Sequence, residues 1–169
     1  MTILVLFFLL FSSTLVQILI PPCALLAEAK VPLLMGVVIY YAMAQPRGLM
    51  LGAAIGAGLS LDALSLTPPG YSVLWFCAAG LLINRYRDVV LPPSVPTAAA
   101  AGLALGILTT FATYLMLRAG REPLIMISAG RAAWKAVGTG LLGLVAAPLV
   151  FLVAVRLEKL VGLRREEAD

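Results

Sequence analysis

Gly48-Leu-Met-Leu-Gly52-Ala-Ala-Ile-Gly56-Ala-Gly58-Leu-Ser-Leu-Asp62 is the stretch whose reading decides the fold. A glycine- and alanine-rich apolar run ends on a carboxylate, and Asp62 is the only acidic residue between Val31 and Ile83. A charge at the centre of a bilayer costs about 2.5–3.5 kcal/mol or more unless it is paired or hydrated. Asp62 therefore marks a polar interior, a water-filled cavity or a contact site in a chain otherwise suited to hydrocarbon.

The surrounding composition fixes that solvent. Hydrophobic residues make up 62% of the 169 residues and charged residues 12%, and the mean hydropathy is +1.06. Lipid, not water, must solvate such a chain. At about 20 residues per crossing, the length allows roughly six spans and leaves little for a soluble domain. The long Leu/Ala/Val/Gly runs lack the alternating period of a membrane β-barrel, and helices satisfy their own backbone in lipid. The expected fold is an all-α integral membrane protein, a single transmembrane domain over 1–169 with about six helices.

Outward from the quoted stretch, the boundaries come from proline, glycine and charge. A first helix over 2–20 ends at Pro21-Pro22. A signal peptide is the rival reading there, because Ala27-Glu28-Ala29 resembles a small-residue cleavage site. No Lys or Arg precedes the segment, however, and its apolar core is too long. Cys23 follows Ile-Pro-Pro, which does not suit a lipoprotein site. A short second helix over 31–44 is expected to tilt, or to be extended by Lys30 and Gln45 snorkelling at its ends. Gln45-Pro46-Arg47-Gly48 makes a turn, and the third helix spans 49–64.

Gly52-x-x-x-Gly56 in that helix predicts close approach of a neighbouring backbone, with Asp62 continuing the small-residue side from Gly58. Ser65-Leu-Thr-Pro68-Pro69-Gly70 is a rigid loop, and Tyr71 and Trp75 open a fourth helix over 71–84 as interfacial anchors. A proline-rich connector leads to an Ala-rich fifth helix over 97–117 with its own Gly102-x-x-x-Gly106. The segment 119–133 reads as a re-entrant or surface-lying piece, and Trp134 and Lys135 as the next interface. A sixth helix over 136–155 precedes a short amphipathic cytoplasmic tail over 156–169.

Basic residues set the expected orientation. Arg47, Arg85, Arg87, Arg156, Lys159, Arg164 and Arg165 fall on one side, against Lys30, Arg118, Arg121, Arg131 and Lys135 on the other. The bias places both termini in the cytoplasm. The net charge of +4 is explained by membrane-flanking cations that attract anionic lipid, so no nucleic-acid partner is expected.

Signs of chemistry are few. The absence of histidine removes the usual general base and the commonest transition-metal ligand. The two cysteines, Cys23 and Cys77, have no metal-binding spacing, and Gly56-x-Gly58 lies in an apolar helix rather than at a strand-to-helix turn. No cofactor, metal or catalytic residue is expected, and the chain is read as not an enzyme. Three roles stay open for Asp62. It caps the Thr67-Pro68-Pro69-Gly70 turn, forms part of a protein-contact surface, or serves as a substrate or proton site in a carrier.

The order Lys30-Val-Pro-Leu-Leu, Gln45-Pro-Arg47-Gly, Gly52-x-x-x-Gly56-x-Gly58-x-x-x-Asp62, then Thr67-Pro68-Pro69-Gly70-Tyr71 and a helix ending near Asp88 resembles the bacterial rod shape-determining protein MreD family. The residue-level likeness covers 30–88, and Asp62 to Gly70 is its most specific part. The departures are Pro68-Pro69, where the family more often has a small polar pair, and the Ala-rich fifth helix. The resemblance implies a non-enzymatic scaffold of the cell-elongation machinery in the bacterial inner membrane. It would bind MreC, and through it MreB and the peptidoglycan synthases. On that view Arg47, Gly52, Gly56, Asp62, Pro68, Pro69, Gly70 and Tyr71 are contact or structural residues. The layout is also similar to the substrate-binding membrane subunit of energy-coupling-factor vitamin transporters, which is the alternative reading.

Overall fold

Runs of Leu, Ala, Met and Val between proline- and glycine-bearing breaks fold into six helices: α1 (Thr2–Leu19), α2 (Leu33–Ala44), α3 (Arg47–Ser65), α4 (Tyr71–Tyr86), α5 (Val95–Ala119) and α6 (Ala129–Leu160). The computed structural model describes residues 2–22, 28–65, 69–87, 93–119 and 129–162. Among these residues there is no sheet. Four stretches are long and apolar enough to cross a membrane: Thr2–Leu19, Arg47–Ser65, Val95–Leu115 and Gly130–Leu160. The protein thus has the build of a multi-pass membrane protein, with four such helices among the described residues where length arithmetic allows six.

The two short helices explain the difference. The 12 residues of α2 reach about 18 Å at 1.5 Å per residue, well below the roughly 30 Å of a bilayer core. Its position gives the shortness another meaning than adjustment to a bilayer. Every residue from Leu34 to Met43 is buried, and α2 contacts all five other helices. A helix apolar on every side belongs in an interior, and α2 is surrounded by protein instead of lipid.

Around this centre, α1 buries Val5, Leu6, Leu9, Ser13 and Gln17, essentially one stripe at helical spacing. Its opposite face leaves Phe7, Phe8 and Phe11 exposed, as a lipid-facing surface requires. α5 and α6 form the closest pair. A Cβ placed on Gly102 would collide with the Gly143 carbonyl, and one on Gly106 would lie 2.9 Å from Gly140 Cα. The Gly102-x-x-x-Gly106 motif therefore seats backbone against backbone.

The Gly52-x-x-x-Gly56 motif does not. Gly52 is exposed, and a Cβ there would meet only Leu6 Cδ2, at 4.0 Å. A Cβ on Gly56 would meet the Leu10 side chain at 2.8 Å. Both glycines face α1 side chains. The glycine of α3 that admits a backbone is Gly58, where a Cβ would lie 2.5 Å from Val73 Cα. Gly58 and Asp62 lie one turn apart on the face toward α4, and Gly52 and Gly56 lie on another.

Several helix limits shift. α5 starts at Val95, before the expected 97, because a proline in the first turn costs no helical hydrogen bond. Ser94 sits ahead of it with its N–H donating to Thr97 Oγ1 at 3.1 Å. α6 begins at Ala129 and runs for 32 residues, so Trp134 and Lys135 lie inside the helix rather than ahead of it. Residues 129–133 are helical and are not part of a re-entrant piece, while 120–128 lie outside the described residues. α6 also continues through Arg156 to Leu160, so the first part of the expected tail is helix. The remainder, 163–169, lies outside the described residues.

Gly143→Val should destabilise the bundle by about 1–3 kcal/mol, the usual cost of overpacking. Gly52→Ala should stay within about 0.5 kcal/mol of the parent. Unfolding of the two variants in mixed micelles with increasing dodecyl sulfate measures both.

Candidate functional site

Polar side chains collect at the two ends of the bundle, and at each end they satisfy backbone groups of a buried helix. The first and last four residues of any helix lack intrahelical partners for their N–H or C=O groups. In an apolar interior each such group costs free energy unless another part of the protein meets it.

At one end, Asp62 supplies a missing cap. It is 2% exposed. Its Oδ2 accepts from the Gly70 N–H at 2.7 Å, and its Oδ1 accepts from the Ser72 N–H at 3.0 Å. Gly70 precedes α4 and has no side chain to cap it, so a carboxylate from α3 does so at the positive end of the helix dipole. Gly70 takes a left-handed φ of 104°, a conformation that costs a non-glycine residue about 1–2 kcal/mol. Asp62 thus closes the α3–α4 connection.

The other expected site residues are dispersed. Pro69 is exposed and Tyr71 is half-buried at the start of α4, while Pro68 lies outside the described residues. Arg47 is exposed at the first residue of α3, a full helix length from Asp62, and makes no hydrogen bond or ion pair with the described residues. Arg47 and Asp62 thus lie toward opposite ends of α3.

At the opposite end, three side chains that the sequence reading passed over meet the C-terminus of α2. Asn84 Nδ2 donates to the Ala42 carbonyl at 3.0 Å, and Arg87 donates to the Gln45 carbonyl at 2.8 Å. The Gln45 amide donates to Glu158 Oε1 at 3.0 Å. Glu158 is 4% exposed, so Gln45 is held in a buried network and does not snorkel. The signal for Glu158 is its register: Val150, Ala154 and Glu158 recur every four residues, and all three are buried on α6.

Between these ends, a cavity of about 460 Å³ opens at the Asp62 end, beside the N-terminus of α2. Trp75, Phe76 and Tyr114 form aromatic walls, and Lys30, Lys135 and Glu28 bring charges to it. Thr109, Thr113 and Thr139 line another side. Each of these hydroxyls donates to a carbonyl one turn earlier, at 2.6, 2.8 and 2.9 Å. With the single proton committed, what each can offer the cavity is an acceptor oxygen. Gln17 and Ser72, both more than nine-tenths buried, also line it. Gln17 Oε1 accepts from the Leu34 N–H at 3.4 Å, which caps the start of α2. A lone amide in an apolar span is itself a functional signal, and Gln17 carried it.

Comparison with known proteins gives no match to a family model, a curated protein or a solved structure.

Asn84→Leu leaves the Ala42 carbonyl buried without its donor and should cost about 1–3 kcal/mol. The same substitution at exposed Arg85 should change stability by less than about 0.5 kcal/mol. Thermal unfolding in detergent, followed by loss of the monomer peak in size-exclusion chromatography, compares them.

Proposed function

We propose that this chain is a non-enzymatic membrane scaffold of the MreD type, in a bacterial inner membrane with both termini in the cytoplasm. It binds MreC and, through MreC, serves MreB and the peptidoglycan synthases that elongate the cell. The observation that carries this reading is the Asp62 clasp. At the two ends of the most specific part of the resemblance, Asp62 to Gly70, one carboxylate ties α3 to the backbone of Gly70 and of Ser72 in α4.

Such a clasp fixes the start of α4 against the end of α3, and fixed elements make good docking points because little conformational freedom is lost on binding. Pro69 and Gly70 are exposed beside it, and elsewhere on the bundle α1 presents exposed Phe7, Phe8 and Phe11. Helices associate in lipid through packing and interhelical hydrogen bonds, so a bundle of this kind can work by docking other helices, with no catalytic group.

The cavity favours a second reading, the substrate-binding membrane subunit of an energy-coupling-factor vitamin transporter. Pockets of about 300–1,000 Å³ with apolar walls and a few polar groups are the usual form of small-molecule sites, and this one is of that size and make-up.

Affinity recovery of the tagged chain from the native host in mild detergent, with mass spectrometry of its companions, separates the readings. MreC and wall-synthesis proteins are the expected companions, and Asp62→Asn should reduce their recovery several-fold. An ATPase pair with a transmembrane coupling subunit would overturn the scaffold reading in favour of the carrier.

A further inference from the structure

We infer that the cavity at the Asp62 end is a binding site for a small anion joined to a flat or apolar body, bound through Lys30 and Lys135 at its charged part. The inference goes beyond the scaffold reading, since docking helices requires no such chamber.

Two buried groups point to a ligand. Gln17 is 5% exposed, and its oxygen is already used by the Leu34 N–H. Its amide N–H donors have no partner among the described residues and line the cavity. Ser72 is 8% exposed. Its backbone N–H is taken by Asp62, whereas its hydroxyl has no hydrogen bond among the described residues and lines the same space. These donors border the cavity rather than being sealed in the core, so an occupant carrying acceptors meets groups that have no partner among the described residues.

The remaining lining sets the chemistry of that occupant. Lys30 and Lys135 line the cavity with one carboxylate, Glu28, while the Asp62 carboxylate behind Ser72 is turned to the Gly70 and Ser72 N–H groups, so the lining itself is cationic on balance. Trp75 and Phe76 offer flat faces to a ring or an unsaturated body. Thr109 and Thr139 have committed their protons to backbone carbonyls, so they select for donors on the ligand's far side. Acceptors at Gln17 and Ser72, negative charge at the lysines and a flat body against the aromatics together describe a carboxylated or phosphorylated ring compound, or an anionic lipid headgroup with its attached chain.

The chain has only three lysines, Lys30, Lys135 and Lys159. Two line the cavity, and the third is exposed near the end of α6, at the other end of the bundle. Pyridoxal 5′-phosphate, a flat phosphorylated aldehyde, therefore serves as the probe. It condenses with a lysine amine, releasing water, and borohydride fixes the product for peptide mass spectrometry. In phosphatidylcholine nanodiscs, Lys30 and Lys135 should be modified several-fold faster than Lys159, and pyridoxal without its phosphate should lose that preference. Ser72→Ala, which keeps the N–H bound by Asp62, should lower modification of the two cavity lysines about fivefold, the affinity carried by one neutral hydrogen bond. Gln17→Leu should do the same if it folds, and in both variants Lys159 should be unchanged.

Adding phosphatidylglycerol to the nanodiscs identifies the source. Loss of labelling assigns the site to a lipid headgroup, and unchanged labelling assigns it to a soluble anion. Equal modification of all three lysines, or an unaltered pattern in Ser72→Ala, would overturn the inference. Neither result bears on which proteins the tagged chain recovers.

Discussion

Much in this bundle depends on keeping the backbone of α2 satisfied within an apolar surround. A short helix enclosed by five others has its flanks shut off from lipid and solvent, and side chains from neighbouring helices meet its end groups. In its first turn the Leu34 N–H is met by Gln17 from α1, and at its end the carbonyls of Ala42 and of the capping Gln45 are met by Asn84 and Arg87 from the end of α4. The partners at the two ends have opposite character, as the helix dipole requires: a carbonyl oxygen at the positive end and a guanidinium at the negative end. Remove these and the centre of the molecule becomes a place where unpaired backbone is trapped in an apolar medium.

The same logic accounts for both buried carboxylates. Asp62 meets two backbone N–H groups and Glu158 meets the Gln45 amide, so each acid sits where a donor from another helix needs an acceptor. Between the polar ends, the helices hold together by proximity. Glycines on α5 and α6 let those backbones touch, and a closely packed helix pair gains dispersion contacts that lipid chains cannot supply as well. The bundle is thus polar at its two ends and close-packed through its middle.

How legible this was in the amino-acid sequence varied with the kind of signal. Helix count and most breaks were readable because Pro21-Pro22, Gln45-Pro46 and Gly70 stop or start helices by local sterics alone. The limits of α5 and α6 were not, because a proline in a first turn is harmless and because Arg131 and Lys135 are charges that a long helix carries without breaking. The glycine motifs show how far local pattern goes: Gly102-x-x-x-Gly106 and Gly52-x-x-x-Gly56 are the same in sequence, yet only the first is met by a neighbouring backbone. Which helix arrives is decided by the rest of the chain. Asp62 stood out because it is alone in an apolar run. Asn84 and Glu158 did not, because each lies beside charged residues that made it look like a solvated helix end.

The mismatch in helix length has one more consequence. α2 reaches about 18 Å, while α6 beside it reaches about 48 Å at the same rise per residue, so the shortest post of the bundle is enclosed by longer ones. The hollow beside the start of α2 is the space that the short post leaves empty, with its floor at Leu34 and its walls on the taller neighbours. Its depth follows from where α2 begins, and the segment leading into α2 supplies Glu28, Lys30 and Pro32 to its wall. Each residue gained at the N-terminus of α2 would lengthen the short post by about 1.5 Å, shrinking the chamber and displacing those same lining residues. The volume of the chamber and the charges that border it are therefore set together by one short segment, with the outer, lipid-facing surface left as it is.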